Sequence, residues 1–381
     1  MKAIPMIRIL CVISVSILLS GCSFDSNKTV VHEATEVETR SQISTQDEAN
    51  TRSDEQNPVA DDIIDEKIAD HLNVHASISV PSKMYPSYNT KFKEFVESNI
   101  ENIVWAGTNG EFQVEKDNDE NFSITCGDES LIAGMGYLKY IKNDKYSYIE
   151  SLIDYAREKG LIEQKDLEFS SLEIAQTETL KSLIKFEVGA DFVCDEVSAA
   201  SKEDLIRFQE MMKSDPDYSG FFQSGKYSEF TLTDEDAVYY FKYSFSSDGL
   251  PILGIDDPPV MSMSEDGLLA RPMSAVAIYS NEGIAVIRLD GVVDRLEQGE
   301  SNDTIQYQGI KDALIKKFGD VILTEDYTVT DIWLEYFPLI ASDSFQKVEL
   351  IPAWCCVVSI GGETDGSMAV RFNAVTGEEI A

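Results

Sequence analysis

"AVYYFKYSFSSDGLPIL", residues 237–253, decides the fold class. Tyr239, Phe241, Tyr243 and Phe245 recur at every second position, the spacing that puts side chains on one face of an extended strand. Ser247-Asp248-Gly249 follows with residues that tolerate the backbone of a tight hairpin turn, and Leu250-Pro251-Ile252 runs back. The stretch predicts an antiparallel hairpin.

Upstream the period changes to that of a helix. Ile149, Leu152, Ile153 and Ala156 share one helical face, with Lys159-Gly160 as the stop. A second helix is expected from "SSLE", where Ser170 and Glu173 have capping-box spacing, through Leu180, Leu183 and Ile184. A third opens at Ser201, carries Glu203 and Asp204 in its first turn, and buries Leu205, Phe208 and Met212. Earlier still, "VHASISV" (74–80) alternates like a strand. "ENIVWAGTNGEFQVEKDNDENFSITCGD" (101–128) reads as three short strands parted by turns.

Downstream, "GIDDPPVMSMSEDG" (254–267) is rich in Pro, Gly and acid and predicts an internal boundary. "AVAIYSNEGIAVIRL" (275–289) reads as another hairpin. "NDTIQYQGIKDALIKKFG" (302–319) reads as a helix burying Ile310, Leu314 and Phe318 and stopped by Gly319. "DIWLEYFPLI", "VELIPAWCCVVSI" and "SMAVRFNA" read as strands, the last two joined by "GGETDG". Helix followed by antiparallel strands occurs in both halves, so the expected class is α+β, with antiparallel sheets and helices packed on one face. The expected organisation is an N-terminal α+β domain over 71–255 and a C-terminal α+β domain over 270–381.

The chain begins "MKAIPMIRILCVISVSILLSGCSF". Lys2 and Arg8 precede an apolar run too short for the roughly 17–25 residues of a spanning helix, the order of a secretory signal over 1–21. Leu19-Ser20-Gly21-Cys22 resembles the lipobox of bacterial lipoproteins at all four positions. The resemblance implies cleavage before Cys22, acylation of its sulfur, and a membrane-held protein on the extracytoplasmic face. Two acyl chains hold a protein stably where one does so only marginally. Residues 22–70, including "SNKTVVHEATEVETRSQISTQDEANTRSDEQNPVADD" (26–62), lack aromatics and large apolar residues over most of their length. They are expected to form a disordered acidic tether.

With 31 Lys and Arg against 68 Asp and Glu, the chain carries −37. Such a charge repels nucleic acid and an anionic bilayer face, so no nucleic-acid partner is expected.

"LEFSSLEIAQ" (167–176), "TDEDAVYYFKYSFSSDGLPI" (233–252) and the closing "IPAWCCVVSIGGETDGSMAVRFNAVTGEEI" (351–380) carry a second resemblance. The ending is similar to the finish of PepSY-like domains and of YycH/YycI-type membrane-associated regulators in Gram-positive bacteria. It also looks like a poorly characterised family of Gram-positive lipoproteins. The resemblance implies two PepSY-like or YycI-like halves and a regulatory role. The anchor departs from the YycH/YycI pattern, which has a spanning helix.

No motif names a reaction. "GFFQSGK" (220–226) meets the Gly-Lys spacing of a phosphate loop, but Tyr227 stands where a Ser or Thr should ligate magnesium, and a turn is expected. "DNDENFSITCGD" (117–128) puts Asp117, Asp119, Asn121 and Asp128 at calcium-loop positions. Phe122 replaces the bend glycine, so a solvated hairpin tip is expected. Cys355 and Cys356 must face opposite sides of a strand and read, with Cys126 and Cys194, as small core residues. A disulfide from one of the pair to Cys126 or Cys194 stays open. His32, His71 and His75 lie in or beside the tether, and no further ligand stands near them in sequence.

The sequence therefore predicts a non-enzymatic binding or regulatory module for an envelope protein or component. It is expected to need no cofactor or metal and to have Cys22 as its one assigned site. A cell-envelope hydrolase with an unrecognised acidic or Ser-based site, and a calcium or small-solute binder, are the alternatives. Cys22→Ser should lose metabolic palmitate label and move the protein out of the membrane fraction; equal labelling of the variant would refute the lipobox reading.

Overall fold

A computed structural model describes residues 62–78, 84–105, 110–117, 121–225, 230–254, 269–270, 272–319, 322–340, 347–361 and 363–380. The signal, Cys22 and the tether up to 61 lie outside the described residues. In chain order the elements are β1 (Asp62–Ala69), β2 (Leu72–Ile78), β3 (Tyr85–Lys91), α1 (Glu97–Val104), β4 (Gln113–Lys116), β5 (Phe122–Cys126), β6 (Glu129–Gly134) and β7 (Tyr137–Ile141). Next come α2 (Asp144–Glu158), α3 (Leu172–Ile184), β8 (Asp191–Ala200), α4 (Lys202–Ser214), α5 (Pro216–Gln223), β9 (Val238–Ser247) and β10 (Leu250–Ile252). The chain ends with β11 (Leu269–Ala270), β12 (Ser274–Ser280), β13 (Gly283–Asp290), β14 (Glu297–Asn302), α6 (Tyr307–Gly319), β15 (Tyr327–Ile340), β16 (Lys347–Ile360) and β17 (Glu363–Asn373).

The class is α+β, and the pairing is antiparallel apart from short parallel contacts of β15 with β2 and β10. One array runs β8-β9-β12-β13-β7-β6-β5-β4. A second is built on the β15–β16 hairpin. β2 and then β1 extend it beyond β15; β3, β14 and β17 extend it beyond β16. β10 joins the arrays by pairing with both β9 and β15.

The opening hairpin forms as expected. Asp248 and Gly249 take the positive φ that the turn requires, 51° and 80°. Tyr239, Phe241, Tyr243 and Phe245 are buried with α3's Ala175 and Leu183, while Val238 and Tyr240 on the other face pack with residues of α2 and α4. Helices therefore lie on both faces of β9 rather than on the one face expected, which explains its unusually continuous apolar run. The α2 and α4 ends follow their signals: Gly160 at φ 65° ends the first, and Ser201 with Asp204 forms a capping box on the second.

Four expectations are corrected. β1 occupies 62–69 inside the expected tether, because Ile64 and Ile68 pack against the core while β1 pairs with β2. The division at 254–267 does not separate domains: Asn57–Ala381 is one compact unit. β12 and β13, beyond that segment, pair with β9 and β7, whereas β1–β3 belong with the C-terminal array. Residues 97–104 are a helix, since Ile100, Ile103 and Val104 recur at helical spacing and Ile100 is buried. The α3 cap is Ser171, whose hydroxyl accepts from Ile174 N at 3.4 Å.

On one face of the second array Glu335 and Arg371 are buried together, 1% and 3% exposed, with Arg371 Nε donating to Glu335 Oε1 at 2.6 Å. Trp333 Nε1 donates to the other oxygen at 2.8 Å, and the guanidinium lies 5.8 Å from the Phe337 ring. Removing one member of such a pair takes a charge-assisted partner from the other inside the core. Glu335→Ala should cost about 3–5 kcal/mol in urea unfolding.

A Cβ built on Gly189 would stand 1.8 Å from Asp294 O, whereas one on Gly220, inside α5, meets nothing within 4 Å. Gly189→Ala should therefore lower stability by about 2–3 kcal/mol. Gly220→Ala should raise it by about 0.5–1 kcal/mol. A neutral Gly189→Ala in the same unfolding assay would contradict the contact.

Candidate functional site

A cavity of about 300 Å³ opens where α1, the β6–β7 hairpin, β13 and the end of α3 meet. Trp105 arrives as the residue that caps α1, its backbone N–H donating to Glu101 O. Glu129 opens β6 directly after the turn at Gly127, whose φ is 62°. Tyr140 comes from β7, Ile284 and Ile287 from β13, and Phe186 from the turn after α3.

The side chains converge on Glu129. Its Oε2 accepts from both Trp105 Nε1 and Tyr140 OH, the latter at 2.9 Å. The Trp105 and Tyr140 rings meet edge to face at 5.9 Å, so the two donors brace each other. Burial first and the Glu129 carboxylate second push the Tyr140 phenol far above its usual range, which keeps it a donor. Cys126, at the end of β5, is raised by the same two causes. Glu129 Oε1 accepts no hydrogen bond among the described residues. Ile103, Val104, Phe186, Ile284 and Ile287 give the cavity apolar walls, and Lys142 and Lys185 add cations to it. Lys142 is paired with Glu282.

Other charged clusters are internally compensated. Glu150, 4% exposed, accepts from Lys139 at 2.9 Å and Arg288 at 3.0 Å. Arg157 forks onto Glu196 at 2.7 and 2.6 Å and lies 4.9 Å from the Tyr240 ring centre. Arg157 is also the main reason the Glu196 carboxyl sits below its usual range. These groups fasten α2 to the sheet. A second, more open cavity of about 470 Å³ lies around Gly189, where Lys93 already donates to Glu187 O at 3.1 Å and Asp294 at 3.4 Å.

The residues singled out from the sequence lie elsewhere. Cys22, His32 and Lys226 are outside the described residues. Gly220 is helical and Gly225 follows in a turn, so no loop cradles a phosphate between them. Asp117 N donates to Asn121 O across the β4–β5 hairpin, while 118–120 are outside the described residues. His71 Nδ1 meets Asp326 at 2.7 Å and His75 Nδ1 meets Asp65 at 3.6 Å, all exposed at one end of the second array. Among the described residues no group of three or more His, Cys, Asp or Glu is placed to hold a metal. Cys126, Cys194, Cys355 and Cys356 form no disulfide. Cys356 is packed with Trp354 and Val358 in the main core, and its burial pushes the thiol up to about 12. Sequence reasoning missed the cavity because Trp105, Glu129, Tyr140 and Lys185 stand far apart in the chain and have no spacing rule.

No family model matches this chain, and no curated protein matches it. Among solved structures, a crystal structure of an uncharacterized protein from Eubacterium rectale ATCC 33656 is similar, with a TM-score of 0.51 and 16% identity. The match covers 83% of this chain and 92% of that one. At that identity the likeness speaks for the fold.

The surroundings of the thiols set their reactivity. Cys356 should resist alkylation until the protein unfolds. Glu129→Gln removes a negative neighbour of Cys126, so the Cys126 thiol pKa should fall and its alkylation at fixed pH should speed up severalfold; an unchanged rate would place Glu129 too far away to act.

Proposed function

We propose that this protein is a lipid-anchored, extracytoplasmic, non-enzymatic binding module that captures a small component of the cell envelope. Leu19-Ser20-Gly21-Cys22 supports the anchor and the location. One observation carries the binding reading. Glu129 lines the cavity with one oxygen held by Trp105 and Tyr140 and the other accepting no hydrogen bond among the described residues. Small-molecule sites combine apolar walls with a few polar groups that fix orientation, and this cavity has both kinds, with a larger polar share than usual. In such a site the carboxylate orients a ligand, while the two aromatic donors fix the carboxylate. The charge of −37 supports a partner other than nucleic acid.

A pooled solute screen by thermal shift, on the detergent-solubilised chain, tests the reading. At least one solute should raise Tm, and Ile284→Trp, which fills the cavity from β13, should abolish that shift while leaving a cooperative unfolding transition. A solute that is turned over at an ordinary enzymatic rate, or a shift untouched by Ile284→Trp, would refute it.

A further inference from the structure

The cavity's charges specify more than binding in general, and the ligand class they select rests on the proposed binding function. Glu129 lines the cavity, and its Oε1 accepts no hydrogen bond among the described residues, although its partner oxygen holds two donors. Lys142 is neutralised by Glu282. Lys185, exposed at the end of α3, also lines the cavity and forms no ion pair among the described residues. One anionic oxygen and one cation are thus left open, with the apolar walls formed by Ile103, Val104, Phe186, Ile284 and Ile287.

Ligand classes can be sorted by what they do to those two groups. An uncharged apolar occupant would strip water from Oε1 and return no donor. An apolar carboxylate would meet Lys185 but set its charge against Glu129 and Glu282. A simple amine would satisfy Glu129, whose aromatic neighbours also favour a cation, and would leave Lys185 opposed to it. A molecule carrying both an ammonium and a carboxylate on an apolar body satisfies every group. The volume of about 300 Å³, at the small end for ligand pockets, suits a body of about one side chain.

We propose that the cavity binds a free apolar α-amino acid, with its ammonium on Glu129, its carboxylate on Lys185 and its side chain against the isoleucines. Tyr140 and Trp105 are positioning residues that hold the carboxylate of Glu129 toward the ligand.

Isothermal titration of the detergent-solubilised full-length chain at neutral pH, with L-leucine, L-isoleucine, L-phenylalanine and the dipeptide Leu-Leu, tests this. Phenethylamine and 3-phenylpropionate serve as half-ligands. At least one free amino acid should bind saturably, and each half-ligand at least about tenfold more weakly than phenylalanine. Glu129→Gln, which keeps acceptors for Trp105 and Tyr140, should weaken amino-acid binding about ten- to a hundredfold at an unchanged unfolding midpoint. Lys185→Ala should weaken it less, and should abolish the preference for phenylalanine over phenethylamine.

A half-ligand that binds as tightly as phenylalanine overturns the proposal, as does tighter binding of Leu-Leu than of leucine, or no amino-acid heat at millimolar concentrations. If the amino acids fail while a pooled solute gives a shift that Ile284→Trp abolishes, the ligand class falls and the binding reading stands. If Ile284→Trp leaves every solute signal intact, both fall.

Discussion

The structure depends on one crossing point. The chain leaves the second array at Lys91–Lys93 and re-enters it at Val292–Asp294, and these two passages run antiparallel against each other. Lys93 N donates to Val292 O and Asp294 N to Lys91 O, both at 2.9 Å, with Phe92 bridged to Val293. Two glycines close the crossing: Gly136 N donates to Lys93 O while Gly136 O accepts from Val292 N, and Gly189 N donates to Val293 O. A side chain at Gly136 would collide with Phe92 and one at Gly189 with Asp294, so the backbones meet because these positions lack a Cβ. Buried amides need partners, and here the two arrays supply them to each other.

The strands of the first array, β4 to β9, β12 and β13, thereby form a long excursion returned to its starting point, with β10 and β11 touching β15 on the way. The β6–β7 turn and the α3–β8 turn are both pinned to the crossing, the first through Gly136 and the second through Gly189. Glu129 and Tyr140 lie on the hairpin that the first turn closes, and Lys185 and Phe186 lie on the segment that leads into the second. The cavity is therefore built on elements whose relative position the crossing sets, which is the support that a preorganised site requires.

What the sequence made legible was local. The β9–β10 turn, the start of α4 at Ser201 and the aromatic face of β9 each depend on residues within a few positions of one another. The domain boundary failed because an acidic, Pro-rich segment marks a loop whatever lies beyond it, and nothing in "GIDDPPVMSMSEDG" says that β12 will pair with β9. β1 was hidden for a related reason. Ile63, Ile64 and Ile68 are diluted by Asp and Lys, and their strand is stabilised by β2 rather than by their own propensity. The site was illegible for the same reason at greater distance: Glu129 is one acid among many until Trp105 and Tyr140 close on it.

The acidic excess also has a place in the fold. β1 and β14 each pair on one side only among the described residues, β8 does so apart from one bridge at Ala199, and each carries acids: Asp65, Asp191, and Glu297 with Glu300. β8 and β14 are interrupted by register shifts as well. An open strand edge is a template for another copy, and like charges facing across it oppose docking. At physiological ionic strength such repulsion fades over about 8 Å, so it does little between neighbours at rest and acts when two edges approach pairing distance. Two copies meeting edge to edge would therefore feel the repulsion only in the last ångströms before strand pairing.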